Sequence, residues 1–94
     1  MELQKEYETN KRIRKLRDHL GLGRGEFAEK TGLPKKTIEN LEQEKQKTYA
    51  WHIEEITKTW PEYAFWLVTG KTLPEAGQIS PEIEETRQNL STGT

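Results

Sequence analysis

RGEFAEKTGLPKKTIENL, residues 24 to 41, decides the fold. It opens with helical spacing, Phe27 and Ala28 on one side, and returns to it with Ile38 and Leu41. Between them stand Gly32, Leu33 and Pro34, which break a single continuous helix. Pro34 instead suits the first turn of a second helix, where its missing N–H has no partner to lose. Two short helices joined by about three residues, with glycine in the joint, form a helix-turn-helix. Ala28 should face the neighbouring helix, where a larger side chain would force the two apart. Gly32 should take the left-handed conformation that turns the chain sharply. Leu33 and Ile38 then point into the angle between the helices, and Phe27 and Leu41 join the pair to the core. The second helix is left presenting Lys35, Lys36, Glu39, Asn40 and Gln43 outward.

Helical spacing recurs on both sides of this stretch, and no segment alternates as a strand would. Ile13, Leu16 and Leu20 form a stripe, with Thr9 or Asn10 as N-cap and Gly21 as the stop. The second helix spans Gly23 or Arg24 to Thr31, and the third runs from Pro34 to about Gln43. Ile53 and Ile56 mark a fourth, from Tyr49 or Ala50 to Thr59. Pro61 opens a fifth through Tyr63, Trp66 and Leu67, ended by Gly70. After Gly70, KTLPEAGQ reads as an exposed connector. SPEIEETRQNL offers Ser80 as N-cap, Pro81 at the first position and acidic residues suited to the helix dipole. Ile79, Ile83 and Leu90 make a thin apolar stripe, and STGT should fray. The expected organisation is an all-α chain: an N-terminal arm over 1–8, a five-helix domain over 9–70 with its motif at about 24–43, and an extension over 71–94 carrying an extra short helix at 80–90.

Ninety-four residues suffice for one small domain. There is no cysteine, which excludes disulfides and thiolate metal sites. No apolar run reaches the length of a membrane span, and MELQKEYE has no signal-peptide core, so a cytoplasmic protein is expected. Net charge is −1, unfavourable for a nucleic-acid binder, but the charge is unevenly spread. Residues 9–47 carry 11 Lys or Arg against 6 Asp or Glu, whereas residues 61–94 carry 2 against 5.

LRDHLGLGRGEFAEKTGLPKKTIENLEQ, together with the later EYAFWLVTG, resembles the lambda-repressor-like, Cro/C1-type helix-turn-helix family of phage and bacterial regulators. The likeness covers roughly residues 10 to 70. In that family the second helix of the motif enters the major groove of double-stranded DNA. The resemblance therefore implies base reading by Lys35, Lys36, Glu39 and Asn40. Lysine donates to guanine O6 and N7, asparagine bridges adenine N6 and N7, and glutamate accepts from cytosine N4 or repels a misplaced phosphate. It further implies phosphate contacts from Arg24, Thr37, Gln43, Lys45 and Lys47, and an internal ion pair between Arg17 and Glu42. Lys11, Arg12, Arg14 and Lys15 either flank the DNA backbone or form a solvated face. Three positions depart from the family pattern: Gly23 replaces a Ser or Thr cap, Thr31 replaces an apolar residue, and Glu44 stands where glycine is common.

Other features point away from catalysis. GLGRG, residues 21 to 25, follows a helix and not a strand, unlike a nucleotide-binding loop. His19 and His52 have no ligand partners at metal spacing and are expected at the surface or at helix ends. Adjacent pairs such as Glu54–Glu55 and Glu84–Glu85 do not share a helix face. No cofactor and no enzymatic activity are expected. Tyr49, Trp51, Trp60, Tyr63, Phe65 and Trp66 crowd together, more than two short helices can bury. Trp60 and Trp66 read as core. Trp51 and Phe65, with Ile83 and Leu90 of the extension, are the expected dimer or partner surface. The functional expectation is a transcriptional regulator, a repressor binding a palindromic operator as a homodimer. The alternatives are an antitoxin that also grips a toxin partner, and a protein-interaction module that has lost DNA binding.

Overall fold

The computed structural model describes residues 7–92. Among the described residues there are six α-helices and no strand. They are α1 (Glu8–Leu20), α2 (Arg24–Thr31), α3 (Lys35–Glu42), α4 (Ala50–Thr59), α5 (Ala64–Thr69) and α6 (Pro81–Thr92), with 3-10 turns at Pro61–Tyr63 and Pro74–Ala76. The expectations for residues 1–6 of the arm, and for Gly93 and Thr94 in the fraying tail, lie outside the described residues.

The core gathers one stripe from each helix. Ile13 and Leu16 of α1, Phe27 of α2, Ile38 and Leu41 of α3, Ile56 of α4 and Leu67 of α5 are all fully buried. Each such side chain contributes about 1.5–3 kcal/mol by leaving water. Trp66 and Tyr63 are buried as well, while Trp60 is half-buried and stacks on Phe27, ring centroids 5.3 Å apart.

The α2–α3 turn follows the local chemistry. Gly32 takes φ 81°, and its N–H donates to the Ala28 carbonyl at 2.8 Å. Ala28 and Leu33 are buried where the two helices meet. Thr31, an unusual polar choice, is also buried: its hydroxyl donates to the Phe27 carbonyl at 2.8 Å and accepts from the Leu33 N–H at 3.3 Å. The threonine thus supplies hydrogen bonds that an apolar residue could not.

Two sequence expectations fail at α1. The helix begins at Glu8, after Tyr7, so neither Thr9 nor Asn10 is its cap, and Glu8 belongs to the helix and not to the arm. Asn10 is buried inside the helix. Its amide donates to the carbonyls of Leu41 (2.9 Å) and Gln46 (2.8 Å), and its Oδ1 accepts from the Thr48 hydroxyl (2.8 Å). One side chain therefore closes the segment that follows α3. Arg12 is likewise not a surface charge: Nε donates to the Leu67 carbonyl (2.9 Å) and Nη2 to that of Val68 (3.3 Å), capping α5. Gly70 ends α5 at φ 76°, and a Cβ there would meet Arg12 Nη1 at 3.2 Å.

The extension is more ordered than an exposed connector. Leu73 and Gln78 exchange both backbone hydrogen bonds, at 2.8 and 3.0 Å, around the second 3-10 turn. The Gln78 side chain accepts from the Phe65 N–H and donates to the Pro61 carbonyl, tying the loop to α5. Ile79 enters the core and Ile83 packs against it. The last helix runs Pro81–Thr92, slightly beyond the expected 80–90.

A Cβ at Gly32 meets no clash, only an ordinary van der Waals contact with the end of the Glu55 side chain at 3.9 Å. At the Cβ the cost is therefore backbone strain, from the positive φ. Gly32→Asn should lose least, Gly32→Ala about 1–2 kcal/mol, and Gly32→Val more. Denaturant unfolding measures the series, and three equal stabilities would contradict the positive φ.

Candidate nucleic-acid interface

α3 is two-sided. Ile38, Leu41 and Glu42 are buried, while Lys35, Lys36 and Gln43 are exposed and Thr37, Glu39 and Asn40 are half-buried. The Asn40 amide makes no hydrogen bond among the described residues, so its paired donor and acceptor are available to a ligand. Lys36 and Glu39 lie one turn apart with Nζ and Oε1 at 4.0 Å, a loose exposed pair worth little. The structure thus brings the four expected base-reading residues onto one face, with two ammonium groups in its first turn.

A buried carboxylate fixes the other end of this helix. The Glu42 side chain has no exposure. It accepts two hydrogen bonds from Arg17 of α1, at 2.6 and 2.9 Å, and one from Arg24 Nε of α2, at 3.0 Å. Arg17 also donates to the Leu22 carbonyl at 2.9 Å. Burial pushes the Glu42 carboxyl upward, but the two arginines, by hydrogen bond and by charge, hold it below its ordinary value. The Arg17–Glu42 pair is as expected. The part played by Arg24 was not foreseen: the residue assigned to phosphate has one edge committed to Glu42, and its side chain keeps 34% of its exposure.

The segment after α3 turns through Glu44, the single positive-φ non-glycine among the described residues, at 58°. Its N–H donates to the Leu41 carbonyl at 3.2 Å, and the Lys45 N–H donates to that of Asn40 at 2.9 Å. An L-residue here carries strain, which explains why glycine is common at such a position. Lys45 and Lys47 follow on this exposed loop.

The basic face of α1 is largely spent. Lys11 pairs with Glu8 at 3.6 Å, Arg12 caps α5, and Lys15 pairs with Glu82. Arg14 alone of the four is exposed with no partner among the described residues.

Aromatics gather where α4 begins. Trp51 is 50% exposed, and Tyr49, which sequence reasoning did not single out, is 57% exposed. Both rings lie against His52, at 4.1 and 5.7 Å between centroids. His52 is fully buried and not at the surface, although it does sit at a helix end. Its Nδ1 accepts from the Tyr49 N–H at 2.9 Å, which places the proton on Nε2, and Nε2 has no hydrogen-bond partner among the described residues. Burial lowers the imidazole pKa. No sequence pattern announces a histidine ring as a helix cap. Of the remaining expected surface residues, Leu90 is 70% exposed, Phe65 is half-buried and Ile83 packs on the core. The described residues contain no cluster of potential metal ligands and no helix long and apolar enough to cross a membrane. The sequence matches no protein-family model and no curated protein.

Two outcomes follow from this geometry. His52 is neutral when folded, and protonation both charges a buried ring and removes the acceptor for Tyr49. Its contribution is complete above the ordinary histidine value of about 6.5 and is lost as pH falls below it. Glu42 adds acid sensitivity only lower, below about 4.3, so the two windows separate. Stability should therefore fall between neutral pH and pH of about 5, and less so in His52→Gln, which keeps a cap acceptor. Identical pH profiles would contradict the assignment. Glu44→Gly should raise stability by about 1 kcal/mol in denaturant unfolding by releasing the positive-φ strain; a loss would contradict it.

Proposed function

We propose that the chain is a sequence-specific DNA-binding transcriptional regulator, a repressor that binds a palindromic operator as a homodimer. In this reading α1 to α5 form a lambda-repressor-like, Cro/C1-type domain, with α2 and α3 as its helix-turn-helix. One observation carries it: α3 is locked along its inner side and at its C-terminal end, yet its outer face is uncovered and led by two lysines.

The chemistry divides by position. Lys35 and Lys36, in the first turn, reach guanine edges, and Asn40, one turn on, pairs with adenine. Glu39 lies between them and penalises bases that offer no donor. Lys45 and Lys47 contact phosphate beyond α3, with Thr37 and Gln43 at its flanks. Arg24 does so through the guanidinium N–H donors that Glu42 leaves unused. These contacts carry no sequence information but fix the register, and they make affinity fall steeply with salt. One module of this size makes few base contacts, and two-fold symmetry doubles them. The half-sites then lie about 34 Å apart, one helical turn.

A second reading draws on the exposed Tyr49 and Trp51. Such a pair suits a protein partner, as in an antitoxin or an interaction module, and either role is compatible with the same domain.

Selection of bound duplexes from a random pool, followed by stoichiometry on the winner, tests the proposal. A two-fold symmetric sequence occupied by two chains is expected. Lys36→Ala and Asn40→Ala should each weaken it by about 1–3 kcal/mol with the fold intact. Absence of any enriched sequence, with no binding to random duplex at low salt, would favour the interaction module.

A further inference from the structure

Three helices end around one open hollow. Leu20 closes α1, Lys30 stands in the last turn of α2, and Thr59 closes α4. With Leu22 and Trp60, which follow α1 and α4, they line a mainly apolar space of about 340 Å³. That volume is in the range of small-molecule sites. The fold fixes its walls. Leu20, Leu22 and Trp60 pack against the core, and the Trp60 indole lies within 9° of parallel to the Phe27 ring. The Thr59 hydroxyl donates to the Lys30 carbonyl at 3.0 Å, which joins the ends of α2 and α4. The Leu22 carbonyl accepts from the Arg17 side chain at 2.9 Å, and its N–H donates to the Arg17 carbonyl at 3.3 Å.

Two donors at the hollow have nothing to donate to. The Lys30 ammonium makes no hydrogen bond or ion pair among the described residues. Glu26, one turn earlier on α2, accepts instead from the Gly23 N–H at 2.9 Å. The Trp60 indole N–H also lacks an acceptor among the described residues. His52 Nε2 is the one buried side-chain polar atom left unpaired among them, so the Trp60 N–H is open to water. No acid lines the hollow, and Lys30 is its one full charge. Helix ends ordinarily oppose an anion through their free carbonyls. Here several are already engaged. The Asp18 carbonyl accepts from the Gly21 N–H (3.1 Å), that of Ala28 from Gly32 (2.8 Å), and that of Ile56 from Trp60 (3.1 Å).

We infer that this hollow binds a small organic anion, a carboxylate carried on an aromatic or branched aliphatic body. The body lies against Leu20, Leu22 and the Trp60 ring, where it leaves water. The carboxylate stays at the rim, pairs with the Lys30 ammonium and accepts from the Trp60 N–H. Lys30 is exposed, so the pair keeps contact with water, costs little desolvation and adds a correspondingly modest preference. The inference goes beyond the DNA-binding reading and stands or falls independently of it.

NMR titration of the isotope-labelled full chain, without DNA, tests the site with phenylacetate, phenethyl alcohol and phenethylamine, one carbon skeleton with three head groups. The carboxylate should shift the amides of Leu20, Leu22 and Lys30 and the indole N–H of Trp60 along one saturation curve, with a Kd on the order of 1 mM. The chain has three tryptophans, and Trp60→Phe identifies the relevant indole signal by removing it. The alcohol should bind about fivefold more weakly than the carboxylate, and the amine more weakly still. An indifferent apolar hollow would rank the alcohol first, because it loses water more readily than a carboxylate. Lys30→Gln, at an exposed position, should leave the alcohol unchanged and bring the carboxylate to its level or below. Lys30→Glu should place the amine ahead of the carboxylate. No saturation at these residues below about 10 mM carboxylate, an alcohol-first ranking in the parent chain, or a carboxylate preference that survives Lys30→Gln would overturn the inference.

Discussion

The buried carboxylate of Glu42 joins three helices that the rest of the structure depends on. It belongs to the last turn of α3, and its two arginines come from α1 and from the first turn of α2. Three charge-assisted hydrogen bonds offset the cost of taking the charge from water. Removing Arg17, which supplies two of the three bonds, would leave the buried carboxylate with the single bond from the partly exposed Arg24, a loss approaching the roughly 3–5 kcal/mol of a broken buried pair. The apolar core alone would permit α3 to slide or rotate over its contacts. A bidentate arginine pair does not, because it is satisfied in one geometry only. Asn10 adds a second fixed point, holding the carbonyls of Leu41 and Gln46 from the side of α1.

These constraints have a common direction. They act on the inner side and the C-terminal end of α3, and Gly32 and Leu33 set its entry. Lys35, Lys36 and Gln43 are left exposed, on a helix whose placement is decided elsewhere. A recognition surface benefits from this arrangement, since binding then orders only side chains and not the backbone. Near-zero net charge is compatible with the proposed role because acids on α1, α4 and the extension are drawn into local pairs: Glu8 with Lys11, Glu55 with Lys58 and Glu82 with Lys15.

The turn between α2 and α3 was legible in the sequence because glycine and proline each have one dominant physical reason to stand there. The apolar stripes of the first five helices were legible for a similar reason: helical spacing and burial go together. Polar residues with several possible partners were not. Asn10 at a helix start reads as a cap, and nothing local says that its acceptors lie more than thirty residues away. Arg12 reads as one of four similar cations, although it alone reaches the end of α5. Residues 71–78 look like a connector because the fastening comes from one glutamine bonding to distant backbone. At the candidate site the lysines of α3 were found by their place after the turn, whereas the diversion of Arg24 to Glu42 depends on three helices converging.

The most direct measurement of the central claim is backbone amide NMR of the full chain during titration with duplex DNA. The largest shifts should fall on residues 34–47, with smaller ones at the start of α2, while Asn10, Arg17 and Glu42 keep their free-state environments. Shifts confined to the Tyr49–Trp51 region, or none at low salt, would contradict the account. So would broad changes throughout α1 and α3, because they would mean that the helix is not held in place before DNA arrives.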